Sequence, residues 1–243
     1  MKQLALVIDL YKCVGCHACA VNCKSWNNAG EFGPLKDDEP YGREPSGVWF
    51  NRVQTYEVGC FPDVQVINFP KSCMHCVDAP CVPVCPTNAS YKRKEDGIVL
   101  VNYDDCIGCK YCSWACPYGC REFDEHDGVM KKCTLCVDRI YNENLPEEER
   151  QPACVLSCPT RARVFGDVND PGSEASKAIR EGMGYKLMPD SGANPSNHYL
   201  PHRITHVKVD EDEITVKKQD VLKAIRKRID IEETVIEDFG IGG

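Results

Sequence analysis

Sixteen of the eighteen cysteines in this 243-residue chain fall into four groups of four with the spacing of metal-cluster ligands. The first is Cys13, Cys16, Cys19 and Cys23 (C-x2-C-x2-C-x3-C), and the second is Cys73, Cys76, Cys81 and Cys85 (C-x2-C-x4-C-x3-C-P). The third, Cys106, Cys109, Cys112 and Cys116, reads C-x2-C-x2-C-x3-C-P. The fourth, Cys133, Cys136, Cys154 and Cys158, has 17 residues between its halves and Pro159 after the last cysteine. Three thiolates two residues apart on a tight loop can wrap three irons of one cubane, and the fourth, followed by proline, points away toward a second cluster. Gly15 and Gly108 stand inside the first and third loops, where backbone N–H groups must come close to sulfur.

Other uses of cysteine fit less well. Taken alone, the fourth group resembles the zinc pattern C-x2-C-x15–20-C-x2-C, but its C-x3-C-P ending is wrong for a zinc knuckle. A disulfide framework belongs to small secreted chains that cannot build a core. This chain, 42% hydrophobic and 27% charged, is long enough to build one, and its first ten residues lack the charged, apolar and small-residue order of a secretion signal. The spare Cys60 and Cys120 have no spaced partners and read as small buried side chains. A formal charge of −8 argues against nucleic acid as a partner. No stretch of 18 consecutive apolar residues is present, so any membrane attachment has to come from a partner. Phosphate-binding loops, dinucleotide fingerprints and nucleophile elbows are also missing, and no residue is expected to be catalytic. Of the six histidines, His17 and His75 lie within cysteine loops, as sulfur-directed donors or as polar filler.

The elements that must position the cysteines repeat within the chain. Ile8 to Cys16 aligns with Val101 to Cys109, and each cysteine loop is entered from a β-like run, Leu4 to Leu10 or Gly97 to Tyr103. The third cysteine then opens a short helical segment, so a ferredoxin half-module is used more than once. The fold class expected is α+β, with two bacterial-ferredoxin-like modules of two [4Fe–4S] clusters each, an inserted β-hairpin and a long irregular C-terminal extension. Residues 1–23 with 130–167 form one module and 71–129 the other. The insertion spans 24–70, with strands at Val48 to Val58 and Val64 to Phe69, and the extension spans 168–243. Within that extension a helix is expected at Ser173 to Glu181, an irregular surface wrap from Gly182 to Arg203, then a hairpin and an amphipathic helix from Gln219 to about Ile229.

Across residues 1 to 170 the chain resembles the four-cluster iron–sulfur (beta) subunits of the complex iron–sulfur molybdoenzymes, the dimethyl sulfoxide reductase family. These are the electron-transfer subunits of dimethyl sulfoxide, polysulfide, thiosulfate, tetrathionate and arsenate reductases and of membrane sulfite dehydrogenases. The resemblance is carried by Asp9 to Cys23, Cys73 to Pro86, Cys106 to Pro117, Lys132 to Cys136 and Cys154 to Asp167. It implies that the groups cross. One cluster would take Cys13, Cys16, Cys19 and Cys158, and a second Cys133, Cys136, Cys154 and Cys23. A third would take Cys73, Cys76, Cys81 and Cys116, and a fourth Cys106, Cys109, Cys112 and Cys85. Nitrate-reductase-like relatives carry Trp at the third position of the third group and a [3Fe–4S] cluster there. This chain has Cys112 in that place, so all four clusters are expected to be [4Fe–4S].

Segments such as Pro146 to Cys154 and Phe165 to Asp167 are most similar to the sulfite-dehydrogenase type. The implied role is a relay of single electrons between a molybdopterin catalytic subunit and an integral-membrane quinone-binding subunit. The chain would be peripheral on the membrane through that partner, with the cytoplasmic face favoured over co-export to the periplasmic one. The alternatives are a stand-alone polyferredoxin serving soluble oxidoreductases and a zinc-binding structural module.

Overall fold

In a computed structural model of the chain, which describes residues 2–27, 48–59, 62 and 64–202, short elements alternate with the cysteine loops. β1 (Leu4–Asp9) enters the first loop and α1 (Ala18–Asn27) leaves it. The insertion carries β2 (Asn51–Val58) and β3 (Gln65–Ser72), and the second group is followed by β4 (Ser90–Lys92) and β5 (Val99–Val101). α2 (Tyr111–Trp114) lies within the third group, then β6 (Glu122–Asp124) and β7 (Val129–Lys131) lead to the fourth. α3 (Val137–Ile140) and α4 (Ala153–Leu156) flank the acidic excursion between that group's halves. β8 (Arg163–Asp167), α5 (Glu174–Glu181) and β9 (His198–Leu200) complete the described chain. Cys60, most of residues 24–47, and the expected C-terminal hairpin and amphipathic helix lie outside the described residues.

β1 is the centre of a three-stranded sheet, antiparallel to β8 and parallel to β9. Leu4 to Ile8 are all 5% exposed or less, because a central strand covered on both faces reads as a continuous apolar run. Burying Leu4, Leu6, Val7 and Ile8 contributes about 1.5–3 kcal/mol each. The other sheets are two-stranded antiparallel pairs: β2 with β3, β4 with β5 and β6 with β7. The guanidinium of Arg52, on β2, pairs with the carboxylate of Glu122, on β6, which ties the insertion to the segment after the third group. Ser173 caps α5, its Oγ accepting the Ser176 N–H at 3.1 Å.

The segment Gly182 to Arg203, expected as an irregular surface wrap, instead contributes to the core. Tyr199 and Asn197 are fully buried, and the Tyr199 ring stacks on Phe69 at 4.6 Å while its hydroxyl donates to Pro70 O at 2.9 Å. Three residues of β9 give too short a pattern for periodicity to register, and the burial of Tyr199 draws on Phe69 and Pro70, more than a hundred residues away. Asn197 Oδ1 accepts the Leu6 N–H at 2.9 Å, and its Nδ2 donates to Cys73 O at 3.0 Å. One side chain thus joins the central strand to the second cysteine loop. Asn197→Ala is expected to cost about 1–3 kcal/mol for each backbone group left unpaired. The checks are a lower denaturant midpoint and faster hydrogen exchange at Leu6.

Candidate metal centres

The cysteine loops are built by backbone conformations that few residues tolerate. Gly15 has φ of 69°, and a Cβ there would meet Asn68 Oδ1 at 2.5 Å. Asn68 lies close because its Nδ2 donates to Cys13 O. Gly108 has φ of 66°, and a Cβ there would strike Gly128 O at 2.5 Å and the Phe123 ring at 2.8 Å. Both loops are therefore closed by contacts from segments distant in the sequence.

The thiols of different groups lie together. Asn27 Nδ2 is 3.6 Å from Cys23 Sγ and also 3.6 Å from Cys136 Sγ, which brings a first-group cysteine beside a fourth-group one. Cys133 and Cys154 join them, and burial followed by these thiol neighbours pushes the Cys23 thiol well above its usual range. Cys13 has Cys19 and Cys158 as neighbours, and burial again raises its thiol. Cys16, on the same loop, is exposed. Cys76 lies among Cys73, Cys116 and Cys81, and burial and these thiols push it up to about 12. Cys85, Cys106, Cys109 and Cys112 line one small pocket together with Arg121 and Met130.

The four neighbourhoods are also within electrostatic reach of one another in succession. Cys19 acts on Cys154 between the first two, Cys73 acts on Cys133 between the second and third, and Arg121 meets both Cys81 and Cys112 between the third and fourth.

None of the seventeen described cysteines is in a disulfide. Among the described residues, no three His, Cys, Asp or Glu side chains are placed to hold a single metal ion. The donor sets fit a larger group. Thiols buried side by side resist ionisation unless a polycation takes their charge, and four thiolates on a cubane leave a net charge of roughly −2 that attracts hydrogen-bond donors. Such donors are present: Ser72 Oγ, His75 Nε2, Arg121 Nη1 and Arg163 Nη1 are buried and have no hydrogen-bond partner among the described residues. For His75 the Val99 N–H donates to Nδ1 at 3.1 Å, which leaves the ring proton on the unpartnered Nε2. Burial and the nearby Lys132 and Arg121 hold that ring neutral. His17 adopts a φ of 59°, and its carbonyl accepts the Ala20 and Val21 N–H groups at the start of α1.

Three residues had no flag in the cysteine spacing. Cys120, expected only as buried filler, donates its thiol to Ser72 O at 3.1 Å and acts on Cys116, whose own thiol it lowers to about 5. Arg121 and Arg163 are 4% and 3% exposed, and both lie among cysteines of two neighbourhoods. Lys132, next to Cys133 in sequence, is also buried, and its Nζ donates to the Val99 and Cys133 carbonyls.

Comparison with known proteins gives the family. A 4Fe-4S dicluster domain matches residues 64–168, which takes in the second, third and fourth cysteine groups. The chain is 62% identical to a sulfite dehydrogenase subunit of Allochromatium vinosum over 215 residues, covering 88% of this chain and 90% of that protein. It is 36% identical to a tetrathionate reductase subunit of Salmonella typhimurium, over 82% of this chain and 72% of that one. With the arsenate respiratory reductase iron-sulfur subunit of a Shewanella species the identity is 34%, over 82% of this chain and 96% of that one. Long alignments at these identities, together with the dicluster match, place the chain in one group: it belongs to the iron–sulfur electron-transfer beta subunits of the complex iron–sulfur molybdoenzymes, the non-catalytic partners in those oxidoreductases.

Proposed function

We propose that the chain carries four [4Fe–4S] clusters and relays single electrons between a molybdopterin catalytic subunit and a quinone-binding subunit in the membrane. The observation that carries this reading is the unbroken succession of thiol neighbourhoods. It runs from Cys13, Cys19 and Cys158 through Cys23, Cys133, Cys136 and Cys154 to Cys73, Cys76, Cys81 and Cys116, and ends at Cys85, Cys106, Cys109 and Cys112. Cys16 completes the first set from its place on the Cys13–Cys19 loop.

Each cluster, when bound, takes up and gives back one electron without bond making. The chain's part is to hold four such centres in line, exclude water from most of their sulfurs and supply donors to the rest. Four clusters would carry the holoprotein from −8 toward about −16, so buried cations beside the thiols matter to its folding.

The likeness to a sulfite dehydrogenase subunit supports a sulfur oxyanion such as sulfite as the substrate of the catalytic partner. Among the described residues no helix is long and apolar enough to cross a membrane. In this reading the chain sits peripherally through its partner, and the likeness to a sulfite dehydrogenase subunit favours the cytoplasmic face over co-export to the periplasmic one.

Anaerobic purification with whatever accompanies the chain tests the proposal. Expected are about sixteen iron per chain, no [3Fe–4S] signal by EPR, and a large molybdenum-containing companion. Near-stoichiometric zinc with little iron overturns it, and sixteen iron with no companion replaces it with a free polyferredoxin.

A further inference from the structure

We propose that Arg121 and Arg163 are equivalent positioning residues, each buried between two neighbouring cluster cages and each raising the reduction potential of both. The inference rests on the four-cluster reading above and goes beyond it by assigning residues that set the potentials.

The equivalence begins in the sequence. Arg121 stands five residues after Cys116 and Arg163 five after Cys158, each in the pattern C-P-x3-R. The backbone repeats as well. The third residue after the cysteine is left-handed in both, Gly119 at φ 59° and Arg161 at φ 52°, and its N–H donates to the cysteine carbonyl at 3.2 Å in both. The turn reverses the chain, so the fifth residue enters or borders a strand, β6 or β8, alongside the cages. Cys85 begins the same turn, with Asn88 at φ 57°, and its fifth residue is Ser90. Ser90 Oγ is the acceptor for Arg121 Nη2 at 2.6 Å, so the two equivalent positions of the second and third groups meet each other.

The surroundings make each arginine a charge without a carboxylate. Arg121 Nη2 also donates to Cys81 Sγ at 3.0 Å, and the side chain lies near Cys112, so it faces two cages at once. Arg163 Nη2 donates to Asn51 Oδ1 at 2.7 Å, with Cys19 and Cys154 of two different cages beside it. Among the described residues neither guanidinium forms an ion pair with Asp or Glu. A buried guanidinium without a counterion is costly, and both Nη1 groups are unpartnered as well. Thiolates bound to iron supply the missing negative charge. On one-electron reduction a four-thiolate cubane goes from about −2 to about −3, and a nearby buried cation favours the more negative state. Net charge and hydrogen bonds to sulfur are the levers that set such potentials. The direct bond to Cys81 predicts the largest effect at the cluster of Cys73, Cys76, Cys81 and Cys116.

The test is an EPR-monitored redox titration of the whole purified complex, with clusters assigned through single Cys→Ser variants of each set. Arg121→Gln is expected to lower the potentials of the two clusters on either side of it, most at the Cys81 set, and to leave the other two in place. Arg163→Gln is expected to do the reverse. Arg121→Lys and Arg163→Lys, which keep the charge, are expected to stay close to the wild type. Full iron with unmoved potentials in the Gln variants overturns the inference, as does an equal shift of all four clusters. If a Gln variant loses iron, its Lys counterpart decides: iron retained at wild-type potentials supports a charge role, and iron lost from both assigns the arginine to packing instead. A wild-type complex with fewer than four one-electron steps would sink the four-cluster reading itself, whereas four steps with unmoved Gln variants would sink this inference alone.

Discussion

Replacing Cys116 with Ser is expected to remove the cluster shared with Cys73, Cys76 and Cys81, from the preceding group. The cluster of Cys106, Cys109 and Cys112, its own neighbours in sequence, is expected to survive. The short helix α2, Tyr111–Trp114, ends before Cys116, and the chain then runs away from the third loop toward Cys76 and Cys120. Cys120 lies beside Cys116 and lowers its thiol to about 5, against the effect of burial. Serine offers iron a harder, weaker ligand than the Cys116 thiolate. Iron should fall from about sixteen toward about twelve per chain. The EPR signal lost in Cys116→Ser should be the one lost in Cys81→Ser and should differ from the one lost in Cys106→Ser. A match to Cys106→Ser would show that each group closes on itself, and the crossing would be wrong.

Stripping the iron is expected to unfold the chain. Six cysteines of the sets belong to the main buried cluster, beside Leu6, Ile8, Met74, Ile98 and Tyr199, so the cages are part of the core. The hairpins that frame the second and third groups, β4 with β5 and β6 with β7, have three residues per strand. Isolated two-stranded pairs of that length are not stable in water. Structural metal ligation in small domains contributes on the order of 10 kcal/mol per site, against a total stability of roughly 5–15 kcal/mol for a whole domain. Loss of even one cage is therefore comparable to everything else that holds the fold. Chelation of iron under mild oxidation should abolish the near-ultraviolet circular dichroism signal and the slow hydrogen exchange of Val99, Leu100 and Met130. An apoprotein that kept a cooperative thermal transition with those amides protected would refute this.

Much of the local structure follows from short patterns. The run Leu4 to Leu10 falls on β1, Ser173 with Glu174 to Glu181 on a capped helix, and Val48 to Val58 with Val64 to Phe69 on the paired strands β2 and β3. In each case the signal and the structure share the same few residues. β9 is the counterexample, because nothing in His198 to Leu200 states that Tyr199 will stack on Phe69 or that β1 will be its parallel neighbour.

The same division runs through the cysteine sites. Cysteine spacing, with Gly15 and Gly108 in their loops, points by itself to sixteen candidate thiols and to iron–sulfur clusters as what they hold, because loop closure over three thiols is a local matter. The residues alone leave open which loop each fourth cysteine completes. Only the tertiary structure brings Cys23 and Cys136 to the same Asn27 amide nitrogen, and only it sets the guanidinium groups of Arg121 and Arg163 among thiols of different groups. Those neighbours are joined by strand pairing and buried side chains across tens to more than a hundred residues, and such contacts leave no periodic trace in the segments they connect.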